Sequence, residues 1–211
     1  MVRRIVALGL ALGLSLGSVA LAGPREDADA AWRAGDYAKA VKLFRQAAEQ
    51  GDPVAMTSLA HQYEQGNGTA KNLDEAAKWN RRAAEVLRAR AEQGDAEAQF
   101  SLASLYDGHT PGMPNDPAEQ LKWVVAAAER DHVIAQTRLG VLYSNGLGVP
   151  KDYVKAYTWW LIASGPHPRE LSDRDKRFAD IARRNAADMK GSLTPAQLAR
   201  AQKTASAWKP R

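Results

Sequence analysis

Apolar residues recur along this chain at intervals of three and four, and the pattern itself then recurs. Ala55, Leu59 and Tyr63 stand four apart; Ala98, Leu102 and Tyr106 repeat the stripe; Ala135, Leu139 and Tyr143 repeat it again. Four-residue spacing sets each trio on one face of a helix. A second stripe follows each trio, carrying Ala76, Trp79 and Ala83, then Trp123, then Ala156 and Trp159. Gly66-x-Gly68 and Gly146-x-Gly148 separate the stripes of the first and third sets, and Gly108-His109-Thr110-Pro111-Gly112 those of the second. Glycine closes a helix because it accepts a left-handed backbone. No run of alternating β-branched residues reads as a strand, so the expected fold class is all-α.

The tyrosines at 63, 106 and 143 are spaced by 43 and 37 residues. The longer spacing holds seven extra residues after Trp79, about two helical turns, which keep the apolar stripe on nearly the same side. The 37-residue spacing holds a one-residue insertion between Gly108 and Asp116, so the base period is 36. Neither helix of such a pair can bury its face alone, and neighbouring pairs must stack. The expected organisation is an N-terminal partial repeat at 23–52, whole repeats at 53–93, 94–130 and 131–165, and capping helices at 166–211. Within the last segment Leu171, Phe178, Ile181 and Met189 fall near one helical face, and Thr194-Pro195-Ala196-Gln197 has the chemistry of a helix start.

The full signature reads Ala135-x-x-x-Leu139-Gly140-x-x-Tyr143-x-x-Gly146-x-Gly148-Val149-x-x-Asp152-x-x-x-Ala156-x-x-Trp159. It resembles the Sel-one-like repeat family, a relative of the tetratricopeptide repeats, over roughly residues 25 to 165. The resemblance implies a right-handed α/α superhelical solenoid that binds proteins and takes part in assembling envelope or signalling complexes. Cysteine-rich secreted members are associated with β-lactamase activity; this chain has no cysteine.

Residues 1–22 read as a segment outside the fold. Arg3-Arg4 precedes an apolar run from Ile5 to Val19, and Ala20-Leu21-Ala22 is an A-x-A cleavage site before Gly23. A cleaved signal peptide places the mature chain in the periplasm or outside the cell. The formal net charge of the whole chain is +5, too small to point to nucleic acid. It is uneven: residues 169–211 carry 11 basic and 5 acidic residues. Most such charge is a solvated face, and contact of this basic cap with an anionic surface is the sharper alternative.

The sequence supplies no convincing reaction centre. His61, His109, His132 and His167 fall in different repeats or linkers and read as isolated solvent or groove histidines, so no metal or cofactor is expected. The glycine turns follow helices rather than strands and lack the partners of a phosphate loop. Ser206-Ala207-Trp208-Lys209 has the Ser-x-x-Lys spacing of penicillin-recognising enzymes but none of their other motifs. Trp79, Trp123 and Trp159 recur at one repeat position and are expected in the core, with Trp32, Trp160 and Trp208 freer to be partly exposed.

In tetratricopeptide stacks the first helix of each repeat lines a concave groove. Carried onto this sequence, the groove positions are Thr57, His61, Glu64 and Gln65; Phe100, Ser104 and Asp107; and Thr137, Val141, Ser144 and Asn145. This mostly polar surface fits a scaffold gripping a protein partner in the envelope. A cell-wall or glycan-binding module is the alternative, and a β-lactamase-like hydrolase a more distant one.

Overall fold

A computed structural model describes residues 23–211. The signal peptide expected at 1–22 lies outside the described residues. The elements are α1 (Pro24–Arg33), α2 (Tyr37–Glu49), α3 (Pro53–Gln65), α4 (Leu73–Glu92), α5 (Ala96–Ser104), α6 (Pro117–Glu129), α7 (Val133–Asn145), α8 (Tyr153–Ser164), α9 (Asp173–Met189) and α10 (Pro195–Ala207). The described residues contain no strand. From α1 to α9 each helix packs on the next; α9 touches both α7 and α8, and α10 returns onto α8. The chain is thus an α/α solenoid of stacked helix pairs closed by two C-terminal helices.

The stripes seen in the sequence form the core. Ala55, Leu59 and Tyr63 are buried, as are Ala98, Leu102 and Tyr106. Ala135 and Leu139 are buried too, while Tyr143 is only partly covered. Each fully buried leucine contributes about 1.5–3 kcal/mol relative to exposure. The seven-residue extension is continuous helix: α4 buries Ala76, Trp79, Ala83, Leu87 and Ala91 along one stripe. One core cluster runs from Ala28 to Leu142, and a second joins Tyr157 and Trp160 to Ala179, Ala182 and Ala186 of α9 and Ala201 of α10.

Two devices repeat with the helices. The Tyr63 hydroxyl accepts a hydrogen bond from Arg45 of α2, and Tyr106 accepts one from Arg88 of α4. Gln99 Nε2 donates to the Ala91 carbonyl (2.9 Å) and Gln136 Nε2 to the Ala128 carbonyl (3.1 Å). Each glutamine satisfies a carbonyl in the last turn of the preceding helix.

The turns explain where the chain approaches itself. A Cβ on Gly68 would lie 2.3 Å from the Tyr37 carbonyl, so the turn after α3 seats directly on the start of α2. In the lengthened second turn Gly112 does the same against Ala77, where a Cβ would come within 2.6 Å of another Cβ. Gly112 therefore takes the role of the second glycine of the Gly-x-Gly pair.

One tryptophan expectation is corrected. Trp79 and Trp123 are buried, but in the third repeat Trp160 is buried at 4% exposure and Trp159 is only partly covered. The reason is Gly140. A Cβ there would stand 2.3 Å from Trp160 Nε1, so the missing side chain is the space that the indole fills. Trp160 Nε1 then donates to the Thr137 carbonyl at 3.2 Å. The residues in register with Trp160 are the smaller Asn80 and Val124, which follow Trp79 and Trp123. Trp159 instead meets Trp208 edge-on at 6.4 Å.

Candidate functional site

α3 and α5 both present polar positions to one cleft. Thr57, His61, Glu64 and Gln65 from α3 line an open cleft of about 520 Å³ together with Phe100, Ser104 and Asp107. Seven of the eleven groove positions read from the sequence therefore share one trough. Asn80, Ser101, His109, Pro111 and Arg174 are among the residues that join them. Arg174 was not legible from the repeat register, because it arrives on α9, which folds back from beyond the last repeat.

The other four positions are separated from that trough. Thr137 is buried; its hydroxyl donates to the Val133 carbonyl at 2.9 Å and lies 3.4 Å from the Phe178 carbonyl of α9. Val141, Ser144 and Asn145 line a second cleft of about 350 Å³ with Asn185, Asp188 and Met189 of α9. The expectation of a groove running through all three repeats is thus corrected. The amphipathic C-terminal segment covers the third repeat's share, because Phe178, Ala179, Ala182 and Met189 need apolar cover.

Within the trough most hydrogen-bonding groups are already engaged. Thr57 Oγ1 donates to the Val54 carbonyl (2.9 Å) and Ser104 Oγ to the Phe100 carbonyl (3.1 Å). Asp107 Oδ1 accepts from the His109 amide, the Thr110 amide and the Thr110 hydroxyl. It organises the lengthened turn from within. Asn80 Nδ2 donates to the Pro111 carbonyl at 3.0 Å. The Phe100 ring stacks on the His132 ring, centroids 4.8 Å apart.

Beside the trough lies a charged junction. His132 is the N-cap of α7: its Nδ1 accepts the Ala135 amide at 3.1 Å. An amide can only donate, so Nε2 carries the proton and points at Glu97 Oε2, 2.9 Å away. Arg174 reaches the other Glu97 oxygen at 3.3 Å. The hydrogen bond from His132, helped by Arg174, outweighs burial and holds the Glu97 carboxyl below the ordinary glutamate range.

His132 and His167 are not the isolated histidines expected. His132 is a buried cap, and the His167 side chain is 2% exposed and bonded to Asp131. His61 and His109 do border the trough. Ser206 ends up in the last turn of α10 and Lys209 beyond the helix, so they do not share a turn. Among the described residues no helix is long and apolar enough to cross a membrane.

The Sel1 repeat profile matches residues 33–52, 53–85, 96–132 and 133–164. A chitin synthase regulator of Saccharomyces cerevisiae is 29% identical over 154 residues, 71% of this chain. The chain spans only 21% of that regulator's length. A protective antigen of uropathogenic Escherichia coli with an SLR fold superposes with a TM-score of 0.50 at 26% identity, over 86% of this chain and 45% of that one. A Sel1 repeat protein from Oxalobacter formigenes gives 0.52 at 27% identity, over 79% of this chain and 59% of that one. Sel1 repeats generally mediate protein–protein contact, and the polar trough is consistent with such a scaffold. With four matched segments across stacked helix pairs, this chain belongs to the Sel1 repeat family.

Proposed function

We propose that this protein is a non-catalytic scaffold of the bacterial cell envelope, exported behind residues 1–22, that grips a protein partner in the α3–α5 trough. The observation that carries the reading is the trough itself: an open cleft of about 520 Å³ lined by α3 and α5, with the Thr57 and Ser104 hydroxyls and the Asp107 carboxylate engaged locally rather than aimed at a substrate. Rigid, internally satisfied surfaces suit recognition, since little ordering entropy is lost on binding. The yeast relative's description as a regulator of another protein agrees with a scaffold role. A glycan platform would use a row of exposed aromatic rings, and two of the three recurring tryptophans, Trp79 and Trp123, are buried.

The test is to express the tagged full-length chain in its own host and fractionate the cell. The expected result is a mature protein starting at Gly23 in the envelope fraction, co-eluting with a partner in fixed ratio. A cytoplasmic chain retaining its first 22 residues, or one that elutes alone, overturns the reading.

A further inference from the structure

Resting on that reading, we propose that the trough receives an amphipathic α-helix of the partner, seated beside α9 with its apolar face on Phe100. The chain supplies its own precedent. In the third repeat a helix already lies on this surface: the Phe178 carbonyl of α9 is 3.4 Å from the Thr137 hydroxyl, and Met189 borders the cleft that Val141 lines. Thr57 and Phe100 hold the repeat position of Thr137, and His61 and Ser104 that of Val141. The covered and open surfaces are continuous, because Arg174 in the first turn of α9 also lines the open trough.

The hydrogen-bond inventory selects a helix over an extended peptide. An extended segment brings unpaired backbone groups that need partners on burial. The α3 and α5 walls have internal backbone bonds, and the Thr57 and Ser104 hydroxyls and one Asn80 N–H already donate to carbonyls of this chain. A helix arrives with its backbone already satisfied, as in other helix-in-groove complexes. Small side chains at Thr57, Ser101 and Ser104 let it approach closely. Phe100, fixed by its stack on His132, is the aromatic anchor.

Charge sets the orientation. Arg138 of α7 lines the adjoining cleft beyond Phe100 and has no carboxylate within ion-pair distance among the described residues. Glu64 of α3 lines the trough itself, its Oε2 3.7 Å from His61 Nδ1. The incoming helix therefore carries a carboxylate on its α7 side and a cation on its α3 side, which fixes register as charged rims do elsewhere.

The experiment uses the full chain in its host, with p-benzoylphenylalanine at Thr57, at Ser101, or at Lys78 on α4 as a control. The crosslinked partner segment is identified, synthesised and titrated. The expected result is one segment from both trough positions, a peptide that gains helical circular dichroism on binding, and about tenfold weaker binding to Arg138→Glu. A segment that binds without helical gain, or no crosslink from either trough position, overturns the proposal. A co-purifying partner that crosslinks only at Lys78 overturns the trough helix and leaves the scaffold standing; no co-purifying partner overturns both.

Discussion

Asp131 and His167 form a buried pair, Oδ1 to Nδ1 at 2.7 Å, that ties the start of the C-terminal cap to the turn before α7. Both ring nitrogens of His167 face acceptors, since Nε2 lies 3.1 Å from the Ala163 carbonyl. The equivalent turns read Gly35-Asp36, Gly51-Asp52 and Gly94-Asp95. Here Asp131 takes the glycine's left-handed place at φ 62°, and His132 takes over the capping. The substitution pair swaps a flexible turn for a fastened one.

Removing His167 leaves the buried Asp131 carboxylate only the Gln136 amide at 3.3 Å on Oδ1, with its second oxygen already lacking a partner. His167→Ala is expected to cost about 3–5 kcal/mol in urea unfolding. Asp131→Gly restores the glycine of the other turns, so the double variant should be more stable than His167→Ala alone. A double variant as unstable as the sum of the singles would show the two side chains to be uncoupled.

Gly140→Ala forces a methyl into the Trp160 indole. Overpacking of this kind costs about 1–3 kcal/mol. Adding Trp160→Val, the residue at the matching position 124, should recover most of the loss. Calorimetric melting of the single and double variants measures it; equal melting of Gly140→Ala and the parent would mean the indole has room to spare.

Trp160→Ala empties the second core cluster and should cost about 3–5 kcal/mol. Trp159→Ala should cost clearly less, because Trp159 is only partly covered and loses chiefly its edge contact with Trp208. Unfolding free energies of the two variants settle the order.

The helix pairs, their stripes and the polar trough were legible because burial on a helix imposes a three-to-four-residue period that survives in one sequence. Trp160 was not, since two adjacent tryptophans compete for one inward direction and the winner depends on space left by Gly140, twenty residues away. The Tyr63–Arg45 and Tyr106–Arg88 contacts are hidden for a similar reason: they bridge successive repeats, and the periodicity within one repeat carries no trace of them. The covering of Thr137 and Val141 escaped because α9 lies outside the repeat, and nothing in its stripe says which surface it chooses.

Glu97 predicts an acid response. Its folded carboxyl titrates below the ordinary glutamate range, held down first by the His132 hydrogen bond and then by Arg174. A depressed carboxylate contributes stability that is present above its unfolded value and lost as pH falls through the folded one. Melting temperature should therefore drop on acidification below the ordinary glutamate range, and Glu97→Gln should show a shallower drop. Identical acid limbs for variant and parent would remove Glu97 from the account.

His61 and Ser104 border the open trough, whereas Asn145 opens onto the cleft beneath α9. His61→Ala with Ser104→Ala changes two accessible side chains, the second bonded only to its own helix, so stability should move by no more than about 0.5 kcal/mol per site. Partner affinity should fall at least about tenfold if these side chains sit under the bound protein. Asn145→Ala should leave affinity unchanged, because α9 stands between that position and any ligand in the trough. Thermal melting and co-elution with the partner separate the two effects. If Asn145→Ala weakens the partner as much as the double variant does, α9 must move aside on binding, and the recognition surface spans all three repeats after all.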